Sequence, residues 1–140
     1  MIIYVHESFP FRVAKLIQGY DEWAGDATLR FPDEVHDDPY WRKHWMRHIQ
    51  QHLKPDQKPP FILALDDGRR KGFSSAELKQ SKCSFVLFES RWADYEHYEW
   101  AWKTLKSWGS IREKCQEAYE ANRQCKIAVR PTCKLDVTNL

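Results

Sequence analysis

The sequence lacks several features that would fix a function class at once. Its four cysteines, Cys83, Cys115, Cys125 and Cys133, form no Cys-x-x-Cys pair. That spacing excludes zinc ribbons and thioredoxin-type redox motifs. Glycine is scarce, with five in 140 residues, and no glycine-rich loop follows either early apolar run. The usual phosphate cradle of nucleotide-binding α/β domains is therefore not encoded. No apolar run approaches the roughly 20 residues of a membrane span. The first residues, a short apolar run followed by His6 and Glu7, do not read as a signal peptide. Formal net charge is only +2, so any hold on nucleic acid must come from a local patch. Neither repeats nor low-complexity segments occur. These absences predict a cytoplasmic protein with reduced thiols and no membrane partner. No cysteine has a convincing base near it in sequence, so none reads as a nucleophile.

What is present is an ordinary apolar fraction, seven tryptophans and a clear strand pattern. The length predicts one domain over residues 1–135 with a tail at 136–140, enough chain to bury roughly 70% of its unfolded surface. The organising stretch is Phe61-Ile62-Leu63-Ala64-Leu65, a run that suits a strand covered on both faces. Pro59-Pro60 precede it, and Asp66-Asp67-Gly68 end it. Met1 to Val5 reads as another buried strand, stopping at His6-Glu7. Ser8 suits a helix cap and Pro10 a first turn, with Val13, Leu16, Ile17 and Tyr20 at helical spacing and Gly19 near the stop. Residues 21–37 read as an irregular acidic loop. Asp38-Pro39 then opens a helix with the stripe Trp41, Trp45, Ile49 and Leu53. Ser74-x-x-Glu77 has capping-box form, and Cys83 to Phe88 reads as a third strand. The order favours parallel strands in an α/β domain. Downstream, Tyr95, Tyr98, Trp102, Leu105 and Trp108 suggest one helix face, broken at Gly109. A further helix follows with Ile111, Cys115, Ala118 and Tyr119 inward. Ile127 to Val129 suggests a late edge strand.

The chemistry-bearing residues fall at strand ends. Glu7, Asp38 and Asp66 are the candidate catalytic acids, and with His6 and Asp67 they form the candidate metal site. Clustered carboxylates repel one another, and a hard divalent cation such as Mg²⁺ or Mn²⁺ offsets that repulsion. Such an ion activates water and clamps a phosphodiester. The same residues have plainer uses: Asp38 as a cap, Asp66-Asp67-Gly68 as a turn, Glu7 as a surface acid. Arg69, Arg70 and Lys71 are candidate RNA-phosphate contacts or a solvated turn. His44, His48 and His52 share a helix edge and read as an exposed flank, with zinc binding as the alternative. Trp41, Trp45, Trp102 and Trp108 suit the core. Trp92 and Trp100 fall off the apolar stripes and suit a partner or nucleic-acid surface.

Five stretches together resemble the PIN-like nucleases, in particular the compact VapC-like branch. They are His6-Glu7-Ser8-Phe9-Pro10, Asp38-Pro39-Tyr40-Trp41, Ala64-Leu65-Asp66, Glu77-Leu78 with Phe85-Val86-Leu87-Phe88, and the helical stretch with Trp102, Trp108 and Ile111. The resemblance implies a three-layer α/β/α domain with a mainly parallel central sheet and a helical C-terminal part. It implies a ribonuclease dependent on Mg²⁺ or Mn²⁺, acting as the toxin of a toxin–antitoxin pair. RNA substrate, a cognate antitoxin and a possible homodimer would be its partners. Asp38 and Asp66 would be metal-site acids. His6 stands where the family carries its leading aspartate, and Ala64 where it carries a threonine. These departures keep open a second expectation, an inactive PIN-like domain that binds nucleic acid or protein.

Overall fold

The computed structural model describes residues 1–26, 28–31, 58–66 and 75–140. Among these, the chain forms β1 (Ile3–Val5), α1 (Phe11–Trp23), β2 (Leu29–Arg30), β3 (Phe61–Leu65), α2 (Ser75–Gln80) and β4 (Ser84–Phe88). A 3₁₀ turn (Ser90–Asp94), α3 (His97–Glu120), β5 (Cys125–Val129) and β6 (Leu135–Asn139) complete it. The strands make one six-stranded sheet in the order β2-β1-β3-β4-β5-β6. All neighbours are parallel except β5 and β6. The protein is thus an α/β domain with a mostly parallel sheet.

The strands form where the sequence is apolar without interruption. All five residues of β3 and of β4 are buried, as covering on both faces requires. Alternate residues divide between two cores. Phe61, Leu63, Leu65, Val86 and Phe88 join α1 and α3 residues on one face. Ile62, Ala64, Phe85 and Leu87 meet Leu78 of α2 on the other. Helices on both faces are compatible with a three-layer α/β/α arrangement.

The connections differ in hand. The chain goes from β1 to β2 in one direction along the sheet through α1, and from β4 to β5 in the other direction through α3. Both helices cover the same face. The β3-to-β4 step runs in the second direction but uses the opposite face, through α2. The crossovers β1–α1–β2 and β3–α2–β4 therefore share a hand, and β4–α3–β5 has the opposite one. Parallel crossovers are almost all right-handed, so the last is an exception that packing must hold in place.

The helix ends have local causes. After α1, Gly25 adopts φ 85°, its N–H bonds Glu22 O and the Asp26 N–H bonds Asp21 O. That is the Schellman arrangement. After α3, Asn122 (φ 52°) repeats it, with its own N–H on Tyr119 O and that of Arg123 on Ala118 O.

Several expectations are corrected. Asp21 to Trp23 are helical and Leu29–Arg30 are a strand, so the supposed loop holds structure. Leu16 and Tyr20 are exposed, whereas Ala14, Gln18 and Asp21 join Val13 and Ile17 inside. Gly109 does not break the long helix, which runs unbroken for 24 residues. Its buried face is Trp100, Ala101, Thr104, Trp108, Ile111, Cys115 and Ala118. Tyr98 and Trp102 are 69% and 46% exposed, so the predicted phase was off in the first half. Aromatic residues flank both sides of this helix, and contact with Phe9 and Phe88 selects Trp100. Trp92 and Trp100 are core residues, 0% and 2% exposed, and not a binding surface. Ile127 to Val129 belong to an interior strand between β4 and β6. Residues 136–139, expected in a tail, lie within β6. Trp41, Trp45 and the histidines 44, 48 and 52 lie outside the described residues.

One buried carboxylate joins three elements. Asp21, 1% exposed, accepts from Thr28 N (2.5 Å), Leu29 N (3.2 Å), Thr28 Oγ1 (2.9 Å to Oδ2) and Trp108 Nε1 (3.2 Å). Asp21→Ala strands those buried donors, each worth about 1–3 kcal/mol when unsatisfied. The expected loss is about 3–5 kcal/mol in urea-monitored unfolding, and Trp108→Phe should cost markedly less, since it removes one donor and orphans none.

Candidate functional site

The candidate site lies at the carboxyl edge of the sheet. β1 and β3 are parallel neighbours, with Val5 opposite Leu63. The pairing continues past the strand, where His6 N–H donates to Leu63 O at 2.8 Å. β2 lies on one side of β1 and β3 on the other, so the chain reverses its direction of travel here. Ligands of open α/β sheets bind at such switch points, outside the strand ends.

Ser8 makes the junction. It was expected to cap α1, but that helix has no side-chain cap bond, and Pro10 occupies the cap position. Ser8 Oγ instead accepts the Leu65 N–H at 3.0 Å, and lies 2.7 Å from His6 Nδ1. The Ser8 N–H also points to Nδ1, at 3.0 Å. An Nδ1 that accepts from a backbone N–H carries no proton, so the hydroxyl donates to it and the ring proton resides on Nε2. His6 is 9% exposed. It acts as a brace between the end of β1 and the end of β3, and any further partner must be met by Nε2.

Glu7 is exposed, in the turn that follows β1 and is closed by the Phe9 N–H donating to His6 O at 3.0 Å. Asp66 is half-buried. Its N–H donates to Phe88 O at 2.9 Å, which prolongs β3 beside β4 and fixes the backbone at that acid. The sheet thus brings His6, Glu7 and Asp66 to one edge on adjoining strands. Asp38, Asp67, Arg69, Arg70 and Lys71 lie outside the described residues. Among the described residues, no group of three or more His, Cys, Asp or Glu is arranged to hold a metal ion.

Sequence reasoning missed the next position along the edge. Glu89 follows β4 as Asp66 follows β3, and its N–H donates to Val129 O at 3.1 Å. An acid directly after an apolar strand was the available signal. Beside it opens a cleft of about 510 Å³ lined by Glu89, Arg91, Asp94, Tyr95, Arg130 and Thr132. Arg130 Nε is held by Asp136 at 2.6 Å and faces Glu89 at 3.7 Å. Beneath the edge, Phe9, Phe88, Trp92 and Trp100 pack edge-on or tilted, with centroids 4.9–6.0 Å apart. Trp92 Nε1 donates to Val129 O at 2.9 Å, fixing the 3₁₀ turn to β5.

The three buried cysteines are poor nucleophiles. Cys83, Cys115 and Cys125 are buried and unpaired. Burial pushes the Cys83 thiol from about 9 up to about 12. Burial also pushes Cys115 and Cys125 upward, and the neighbouring Cys125 adds to the rise at Cys115. Their thiolates are disfavoured at neutral pH.

Two expected outcomes follow from this geometry. In ¹⁵N-detected imidazole spectra His6 should show the Nε2–H tautomer at neutral pH, and Ser8→Ala, which keeps the backbone N–H on Nδ1 and removes only the acceptor of the Leu65 N–H, should leave that tautomer in place. The raised thiols favour folding below the ordinary thiol range near 9, where both states hold the proton. As pH climbs toward about 12 the unfolded chain loses that proton first. Stability should therefore fall between those limits, by up to about 1.4 kcal/mol per pH unit for Cys83. Urea midpoints at pH 7 and pH 10, for wild type and Cys83→Ala, would check it: the decline should be shallower in the variant.

The chain matches no family profile, no curated protein and no solved structure.

Proposed function

We propose that this domain is a PIN-like, divalent-metal-dependent endoribonuclease, the toxin component of a toxin–antitoxin pair. The observation that carries the proposal is the pairing of β1 with β3, which delivers Glu7 and Asp66 to one edge at the switch point. The donor set fits the ion. Carboxylate oxygens are hard ligands that suit Mg²⁺ or Mn²⁺, and the exposed Glu7 and half-buried Asp66 remain reachable from solvent. Asp38, Asp66 and Glu7 would hold the ion, with Asp67 beside them. A bound divalent ion supplies Lewis acidity and an activated water.

The chain's own contributions are separate. The Asp66 backbone, anchored on Phe88 O, keeps that carboxylate at a fixed height on the edge. His6, in the position where the family has its leading aspartate, serves as the brace through Ser8 rather than as the primary ligand. Arg69, Arg70 and Lys71, directly after the acids, would grip the phosphate backbone of the RNA. The engaged Nδ1 of His6 also favours a second reading, an inactive PIN-like domain that retains binding, because the family's first acid has been exchanged for a structural group.

Asp66→Asn should leave the circular dichroism spectrum unchanged and abolish cleavage of single-stranded RNA in Mn²⁺ or Mg²⁺. In titration calorimetry the same variant should lose divalent-ion binding, with His44 and His48 replaced in both proteins. Undiminished cleavage by Asp66→Asn sinks the nuclease assignment. A wild type that binds no ion and cuts no RNA transfers the conclusion to the inactive binding domain.

A further inference from the structure

The cleft beside Glu89 belongs to the same edge, yet the proposed function does not use it. Its volume of about 510 Å³ lies within the range of small-molecule sites. Its lining is nearly balanced in charge: Arg91 and Arg130 against Glu89 and Asp94. Arg130 is further offset by Asp136, at 2.6 Å. A site built for phosphate alone would carry an excess of cations. Here donors and acceptors are mixed around an aromatic wall. That wall, Tyr95, is held edge-to-face by Trp92 at 5.5 Å, and its hydroxyl accepts from Lys103 Nζ at 3.3 Å.

A rigid aromatic side chain, carboxylate acceptors and guanidinium donors match the edge of a nucleobase that carries both amino and carbonyl groups. Guanine fits best. Its N1–H and amino group form adjacent donors for one carboxylate, and its O6 and N7 form adjacent acceptors for one guanidinium. The location gives this meaning. Asp66 N–H is bonded to Phe88 O, and Glu89 is the next residue, so the cleft begins one strand beyond Asp66. We propose that the cleft binds a guanine base of single-stranded RNA and so selects the nucleotide beside the scissile phosphate. This assignment rests on the ribonuclease reading above.

The test uses calorimetric titration of the full chain with GMP, AMP, CMP and UMP, for wild type, Arg91→Ala and Asp94→Asn. Both substituted residues are exposed, so the fold should stand, and circular dichroism would verify it. GMP should bind about tenfold more tightly than UMP, and each substitution should weaken GMP about tenfold while leaving UMP unchanged. Equal binding of the four nucleotides, no binding of GMP, or indifference of GMP to both substitutions overturns the cleft assignment. Cleavage of a mixed-sequence oligoribonucleotide by wild type and Asp66→Asn runs in parallel. Cleavage that requires Asp66, with a failed GMP arm, means that the cleft alone was misassigned. Absence of cleavage with every divalent ion overturns the ribonuclease reading and this proposal together.

Discussion

The carboxylate of Asp21 is the constraint on which much of the arrangement depends. Removing a charged group from water costs several kcal/mol unless every lone pair is engaged. Asp21 meets that condition by drawing in donors from the start of β2 and from Trp108 of α3. β2 has only two residues paired to β1, too few for its ladder alone to hold it. Gln18 Nε2 adds a bond to Leu29 O at 3.2 Å. One turn beyond Trp108, Arg112 pairs with Asp26 at 2.8 Å. These bonds tie α1, β2 and α3 into one block against the flank of β1. The far end of β1 is where His6 and Glu7 emerge, so the seating of the candidate site is set partly by an acid remote from it.

How much of this was legible depended on whether the cause was local. β3 was readable to the residue because its apolar run is bounded by Pro59-Pro60 and Asp66. β4 was nearly so. β2 was not, because nothing in Leu29–Arg30 is periodic; the strand exists through a side chain seven residues upstream. Ser8 shows the same limit. A serine before a helix is ordinarily a cap, yet here its hydroxyl meets a backbone donor from Leu65, far along the chain. α3 was recognisable as a helix, but its rotation was not, because Tyr98 and Trp102 compete with Trp100 and Thr104 for the inner face. β6 did carry a signal: Leu135 and Val137 alternate with Asp136 and Thr138.

The edge itself was legible in outline. Placing acids at the ends of apolar strands found Glu7 and Asp66, and the sheet order sets those strands side by side. The same logic applied to β4 would have found Glu89. What local patterns could not convey was the character of His6. A histidine after a strand invites a ligand role, but its Nδ1 is consumed within its own turn by Ser8. Pairwise geometry of that kind is absent from spacing. The cleft was invisible for a related reason, since it is assembled from the 3₁₀ turn after β4 and the turn between β5 and β6.

The reversed hand of the β4–α3–β5 crossover has a consequence for how the molecule opens. Strand twist does not favour that connection, so β5 relies on its ladder with β4 and on the bonds from Glu89 N–H and Trp92 Nε1–H to Val129 O. The β5–β6 hairpin, by contrast, is closed locally by a turn in which Cys133 takes φ 67° and its N–H bonds Arg130 O at 2.7 Å. The long helix, tied by Trp108 and Arg112 to Asp21 and Asp26, stays with α1 and β2, so the hairpin is the unit that can open while β1, β3 and β4 remain paired. In native-state hydrogen exchange, the amides of β5 and β6 would share one opening free energy, lower than those of β3 and α3. The acids at the β1–β3 edge would outlast that opening, whereas the cleft that Arg130 and Thr132 help to wall would vanish with it.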